Sequence, residues 1–265
     1  MKTFFKPFAL TALFAASAWM YQDLPKVDLH VHIGFDPAGS LDQRYKSAAN
    51  LAAQKGVTFG IAEEFTYPDR ERNDALLLKC ISEIKKYHMY LGLQVVRPGW
   101  TKLYSKAVID QLDYVLCDAL YFPDKEGKEI MIWSTQQVFS NPQDFMDRYV
   151  AYHLKVMSEP ITVWVNPTLL PPSLAGRYDE LWTEERMKTL INAAVKNNIA
   201  IEINSRYKIP NRKFLLLAKA AGAHFTFGSN QHNPALADIK WSVDMAKECG
   251  ITKNDLFIPK RKIGQ

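Results

Sequence analysis

The chain has 265 residues, 48% of them apolar, and a formal net charge of +5. That size and apolar share suit one globular domain with a large core, and so mild a positive excess excludes a nucleic-acid partner on charge grounds. The three cysteines, Cys80, Cys117 and Cys249, stand far apart with no CxxC spacing, which excludes a disulfide framework or a thiolate zinc site and leaves buried single thiols.

The opening segment "MKTFFKPFALTALFAASA" carries Lys2 and Lys6, an apolar run from Phe8 to Ala16, and small residues at Ala16 and Ala18. This is the layout of a secretory signal peptide cleaved after Ala18, with an apolar run shorter than the roughly 20 residues that a membrane span needs. Residues 1–18 are expected to be a removed leader and residues 19–265 a single domain, exported to a periplasm or secreted. Loss of Lys2 and Lys6 lowers the charge from +5 to +3. No later segment is long and apolar enough to span a membrane, and the basic tail "PKRKIGQ" is expected to be a solvated end.

Short β-rich runs then alternate with helical patterns. "KVDLHVH" is the first strand, and "LDQRYKSAANLAAQKG" a helix that Gly56 ends. "VTFGIAEE" follows as strand two, then "DALLLKCISEIKKY" as a helix with Asn73 or Asp74 to cap it. "MYLGLQVV" is strand three, "SKAVIDQL" a short helix, and "DYVLCDA" strand four. After a long loop come the helix "PQDFMDRYVAYHLKVMS" and strand five, "ITVWVNP". The Pro-rich stretch "NPTLLPPSLAGRYDELW" is either a lid, with Arg177, Tyr178 and Trp182 meeting a substrate, or a rigid surface loop. "TEERMKTLINAAVKNN" is a helix capped by Thr183 and ended by Asn198. Strand six "IAIEINS", the helix "RKFLLLAKAAG", strand seven "AHFTFGS" and the helix "ADIKWSVDMAKECG" complete the chain.

Seven βα units call for a parallel sheet, because parallel neighbours need crossovers and the helices cover the faces. With no obvious edge strand, and with neither GxGxxG nor GxxxxGK[ST] present, the expected fold is α/β: a TIM-like (β/α)7 barrel of parallel strands. Chemistry in such a barrel gathers where the strands end and the βα loops begin. The residues expected there are His30 and His32, Glu63 and Glu64, Gln94 and Arg97, Asp118, Asn166, Glu202, Asn204 and Arg206, and Asn230 and His232. The other histidines fall elsewhere: His88 and His224 open strands at the far end, and His153 lies within a helix.

Residues two apart on a strand share a face, so His30 and His32 can turn toward one ion. Alternatively they are satisfied interior histidines. The third histidine, His232, after the last strand favours a metal or a site derived from one.

These motifs resemble the PHP (polymerase and histidinol phosphatase) domains. "DLHVH" matches that family's opening HxH, "GVTFGIAEE" its second-strand motif, and "IEINS" and "FTFGSNQH" its late segments. "GLQVV" and "VNP" are looser matches. The resemblance implies a distorted seven-unit barrel that binds divalent metals and hydrolyses phosphoesters. Departures accompany it: Glu64 and Asn166 stand where the family has His, Gln94 where it has a bridging Glu, and Asn230 where it has Asp. Amides are neutral and poor ligands, so a single divalent ion (Zn, Mn or Fe) held by His30, His32, Glu64 and His232 replaces the family's cluster in this expectation.

The reaction expected on that basis is hydrolysis of a small-molecule substrate, with the ion polarising it and activating water. Glu63, Asp118 or Glu202 would take the proton. Arg97 and Arg206 would hold an anionic group, with Asn166, Asn204 and Asn230 as further substrate contacts. Two alternatives stay open: an amidohydrolase-type barrel, which also opens with HxH, and a non-catalytic binding barrel, which the amides favour.

Overall fold

The computed structural model describes residues 23–33, 40–63 and 74–262. The expected leader, Glu64 and the Asn73 cap lie outside these residues. Seven parallel strands close into a barrel: β1 (Val27–Val31), β2 (Thr58–Glu63), β3 (Tyr90–Val95), β4 (Tyr114–Cys117), β7 (Val163–Trp164), β8 (Ala200–Asn204) and β9 (Phe225–Gly228). The expected (β/α)7 plan is therefore present. The long loop after β4 holds something the alternation did not signal, a separate antiparallel hairpin of β5 (Tyr121–Pro123) and β6 (Glu129–Met131). Its strands are only three residues each, too short for a period-two pattern to register.

The helices in chain order are α1 (Leu41–Lys55), α2 (Asp74–Ile84), α3 (Lys106–Ile109), α4 (Pro142–Met157), α5 (Tyr178–Leu181), α6 (Glu184–Lys196), α7 (Arg212–Ala220) and α8 (Lys240–Glu248). Their ends follow from local chemistry. Ser40 and Gln43 form a reciprocal capping box on α1, and Gly56 ends it at φ 61, a left-handed conformation that glycine adopts without strain. Asn141, Thr183 and Asn211 cap α4, α6 and α7 through their side-chain oxygens. Asn198, at φ 54, turns the chain out of α6.

Side chains on the outer face of the strands, such as Ile61, Leu93, Trp164 and Phe227, join the helices in the main core. The N-terminal half of the barrel interior is plugged by a small apolar cluster that includes Val27, Leu29, Tyr114, Leu116, Val163 and Val165. Tyr114 lies across this plug and donates to Leu29 O at 2.7 Å. Gly60 and Gly92 make room for it: a Cβ at Gly60 would lie 2.6 Å from the Tyr114 hydroxyl, and one at Gly92 would overlap its ring. The chain end crosses the same side of the barrel. Phe257 N donates to Phe225 O at 2.7 Å and Lys262 N to Asp113 Oδ1 at 2.6 Å, so the backbone is anchored as far as Lys262 while the Lys260 and Lys262 side chains stay exposed.

One irregularity positions the functional end. In β1, Asp28 pairs with Phe59 and Val31 with Ile61, so three steps on β1 match two on β2. That is a β-bulge, one extra residue that reverses the inward–outward alternation beyond it. Before the bulge, Val27 and Leu29 face the interior plug; after it, Val31 joins the outer core, while His30 and His32 turn into the barrel. Simple alternation puts the two histidines on one face, and only the bulge makes that face the inner one.

Candidate active site

The C-terminal half of the barrel interior is polar. His30, Gln94, Asp118, Asn166, Glu202 and Asn204 come from five different strands or their ends, and each is at most 5% exposed. Buried polar groups must find partners, and these find one another. Glu202 Oε1 accepts from His30 Nδ1 at 2.6 Å, and Glu202 Oε2 accepts from Asn166 N at 2.8 Å and Asn204 Nδ2 at 2.9 Å. Asp118 Oδ2 accepts from Gln94 Nε2 at 3.2 Å and Asn166 Nδ2 at 3.1 Å, and its Oδ1 accepts from Leu120 N at 3.0 Å. Asn166 Oδ1 accepts from both Asn204 Nδ2 and Asn230 Nδ2, each at 3.0 Å. Each carboxylate thus takes at least three N–H donors, and the amide orientations follow from that requirement.

Asn166 and Asn230, at the ends of β7 and β9, have φ of 50° and 49°. Asn tolerates this left-handed conformation better than most residues, and here it aims both side chains inward.

The two opening histidines are held alike. His30 Nδ1 donates to Glu202, and His32 Nδ1 donates to Ala62 O at 2.8 Å. Their rings approach edge to face with centroids 5.1 Å apart, and His232 stacks on His32 at 4.3 Å with 13° between the planes. Burial pushes the His32 imidazole well below its usual pKa, reinforced by His30, His232 and Arg206, so it is neutral with a lone pair on Nε2. For His30, burial also pulls downward, but the Glu202 carboxylate beside it, with Asp118 beyond, outweighs burial and raises its pKa. His30 Nε2 lies 2.9 Å from Gln94 Oε1. Because Gln94 Nε2 is committed to Asp118, that contact requires either a hydrogen on Nε2 or a cation shared by the two atoms.

His232 sits at the exposed rim, its pKa lowered by burial of part of the ring and by Arg206 and His30. Arg206 is also at the rim, donates to Asn230 O at 2.9 Å, and lies over the Tyr207 ring, 5.5 Å from its centroid. Among the described residues, no three His, Cys, Asp or Glu side chains are disposed to hold a metal ion together. Two imidazoles with fixed Nδ1–H groups fit a divalent ion as donors, and the third ligand expected, Glu64, lies outside the described residues.

Two sequence expectations are corrected by placement. Glu63 was expected at the mouth as a proton acceptor, but it faces outward, where Tyr45 of α1 donates to its Oε1 at 2.6 Å. The two-residue period of β2 dictates this, since Gly60 and Ala62 occupy the inner face. Arg97 was expected to hold substrate, but it is paired with Glu129 of β6 through Nε at 2.5 Å and Nη2 at 2.8 Å, over the Tyr121 ring. Its partner sits on the hairpin that the sequence did not signal.

Of the two readings of the Pro-rich stretch, lid or rigid surface loop, its contacts fit the rigid loop. Trp182 is 1% exposed and donates to Thr168 O at 2.9 Å, Tyr178 donates to Thr168 Oγ1 at 2.6 Å, and Arg177 pairs with Glu180. Two residues that shape the site, and one that holds Glu63 away from it, went unnoticed in the sequence. Asp28 binds the backbone at the bulge, Gly228 leaves space for the His30–Glu202 pair, and Tyr45 holds Glu63. Only the position of Asp28 directly before "LHVH" could have drawn attention.

Neither a protein-family model nor a curated protein sequence matches the chain. Solved structures resemble it at low identity. A chain of archaeal ribonuclease P with mature tRNA is 12% identical, with 84% of this chain and 89% of that one covered and a TM-score of 0.40. Phospho-2-dehydro-3-deoxyheptonate aldolase (DAHP synthase) from Thermotoga maritima is 10% identical, with 86% and 57% covered and a TM-score of 0.41. Among the described residues, no helix is long and apolar enough to cross a membrane.

Proposed function

We propose that the chain is an exported, PHP-like metal-dependent hydrolase that acts on small anionic phosphoesters at the barrel mouth, with one divalent ion (Zn, Mn or Fe). One observation carries this reading: both opening histidines have their Nδ1–H groups fixed, one on the Glu202 carboxylate and one on the Ala62 carbonyl. That outer arrangement sets the tautomer and presents Nε2 as a ligand. His30 and His32 would hold the ion with Glu64, and His232 would complete the set only after its ring turns off the face of His32, on which it is stacked. When bound, such an ion supplies Lewis acidity toward a phosphoryl oxygen and a lowered pKa for water.

The chain's own residues divide the remaining work. Glu202 and Asp118, each accepting three N–H donors, orient His30, Gln94 and Asn166 rather than exchange protons with substrate. Arg206, at the rim beside His232, offers guanidinium donors to an anionic group. Asn230, held between Arg206 and Asn166, fixes the floor against which that group rests.

A second reading, a binding barrel without catalysis, is favoured by the 2.9 Å contact between His30 Nε2 and Gln94 Oε1. With a hydrogen there, both nitrogens of His30 are spent within the protein. Metal analysis of the purified protein, followed by a phosphoester screen with and without Mn²⁺ or Zn²⁺, separates the readings. About one equivalent of bound metal, lost in His32→Ala, is expected, together with metal-dependent phosphoester turnover. Metal content unchanged by His32→Ala, or no bound metal and no turnover, would remove the hydrolase reading.

A further inference from the structure

We propose that Asp28 is a positioning residue, whose carboxylate pins the β1 bulge and so turns His30 and His32 into the barrel. The seam between β1 and β9 is where the barrel closes, and its ladder is sparse. Asp28 pairs with Phe227, and the next bridge joins Val31 to Gln231, so three steps on β1 face four on β9. A bulge and an uneven seam leave backbone N–H groups without ladder partners, and a buried N–H left without a partner is destabilising.

Asp28 Oδ1 takes up two such groups. It accepts from His30 N at 3.1 Å, inside the bulge, and from Ser229 N at 3.0 Å, across the seam. One oxygen thus ties the residue that must turn inward to the strand that carries Asn230 and leads into His232. Asp28 is 1% exposed, and among the described residues its Oδ2 has no hydrogen-bond partner, so the contacts that tie the bulge all fall on Oδ1. An amide in the same place keeps that oxygen, whereas a methyl group removes it.

The inference rests on reading the mouth as the functional site, but its test uses neither metal nor substrate, so failure of the hydrolase reading leaves it standing. The full chain, labelled with ¹⁵N, is followed by amide hydrogen exchange at His30 and Ser229 and by imidazole ¹⁵N–¹H correlation at His30. In the wild type both amides are expected to be protected and the His30 Nδ1 proton to be observable on its Glu202 bond. Asp28→Asn is expected to retain both signatures. Asp28→Ala is expected to lose the Nδ1 proton and to speed exchange at the two amides by roughly tenfold relative to β3 and β4 amides. A folded Asp28→Ala protein with an unchanged Nδ1 proton overturns the proposal. So does Asp28→Asn losing the signal, because charge rather than acceptor position would then be responsible. If Asp28→Ala does not fold, the first two measurements decide: fast exchange at His30 and Ser229 in the wild type overturns it, and protection retained in Asp28→Asn supports it.

Discussion

His30 Nδ1 and Glu202 Oε1 meet at 2.6 Å across the barrel, although 172 positions separate them in the chain. Both groups are almost fully buried, at 1% and 0% exposure. The contact fixes the His30 tautomer, and the same carboxylate receives Asn166 N and Asn204 Nδ2 on its other oxygen.

Glu202→Gln leaves one oxygen to accept what three donors now share. Loss of a ligand's outer partner lowers divalent-metal affinity by roughly 10–100-fold. The metal-free variant is expected to lose about 1–3 kcal/mol of stability. Titration with Zn²⁺ or Mn²⁺ beside urea denaturation separates the two effects, and wild-type affinity in the variant would show that His30 is not a ligand.

Gly228 gives the same pair its space. A Cβ there would overlap Glu202 Oε1 and come within 2.9 Å of His30 Cβ, an atom fixed by the β1 backbone. Gly228→Ala is expected to destabilise the fold by about 1–3 kcal/mol through overpacking. The His30 imidazole resonance should shift with it. A variant as stable as the wild type, with that resonance unmoved, would contradict this packing.

His153 governs part of the pH dependence. Its Nδ1 accepts from Trp164 Nε1 at 3.1 Å, and burial alone lowers its pKa to about 3. The unfolded imidazole titrates near 6.5, so between about pH 6.5 and pH 3 the unfolded chain binds a proton that the folded one refuses. Its contribution is therefore complete above about pH 6.5 and falls by about 1.4 kcal/mol per pH unit as acid is added through that window. His153→Asn, which keeps an acceptor near Trp164, is expected to flatten the stability profile between pH 6.5 and 4, whatever cavity it leaves. Parallel profiles for the two proteins would count against a buried neutral imidazole.

Glu63 faces α1 rather than the mouth. Tyr45→Phe removes one hydrogen bond and is expected to cost about 1 kcal/mol in urea unfolding. Glu63→Gln is expected to leave metal content and any turnover unchanged. A large loss of turnover without loss of stability would return Glu63 to the chemistry.

Much of the fold was legible from local signals. Gly56, Thr183, Asn198 and the alternating strand and helix patterns lie within a few residues of the structures they specify. The hairpin of β5 and β6 was not, because six residues in two short strands carry no usable period. At the site, His30, Asp118, Asn166, Glu202, Asn204 and Asn230 were legible as strand-end residues, and the barrel gathers them into one network. Glu63 and Arg97 were not separable from them, since both also lie at or just beyond strand ends. Their partners, Tyr45 and Glu129, come from other elements, and no local spacing reveals such pairings.

By itself the sequence determined the succession of βα units, the helix ends and the pairing of two histidines on one strand face, because each depends on neighbours within a turn or a few strand residues. Which face that is, and what meets the histidines there, was decided only by barrel closure. The β1 bulge turns them inward, and Glu202, Gln94 and the Ala62 carbonyl arrive from strands distant in the chain. Hydrogen bonds between such distant groups exist only once the long-range strand pairings have formed.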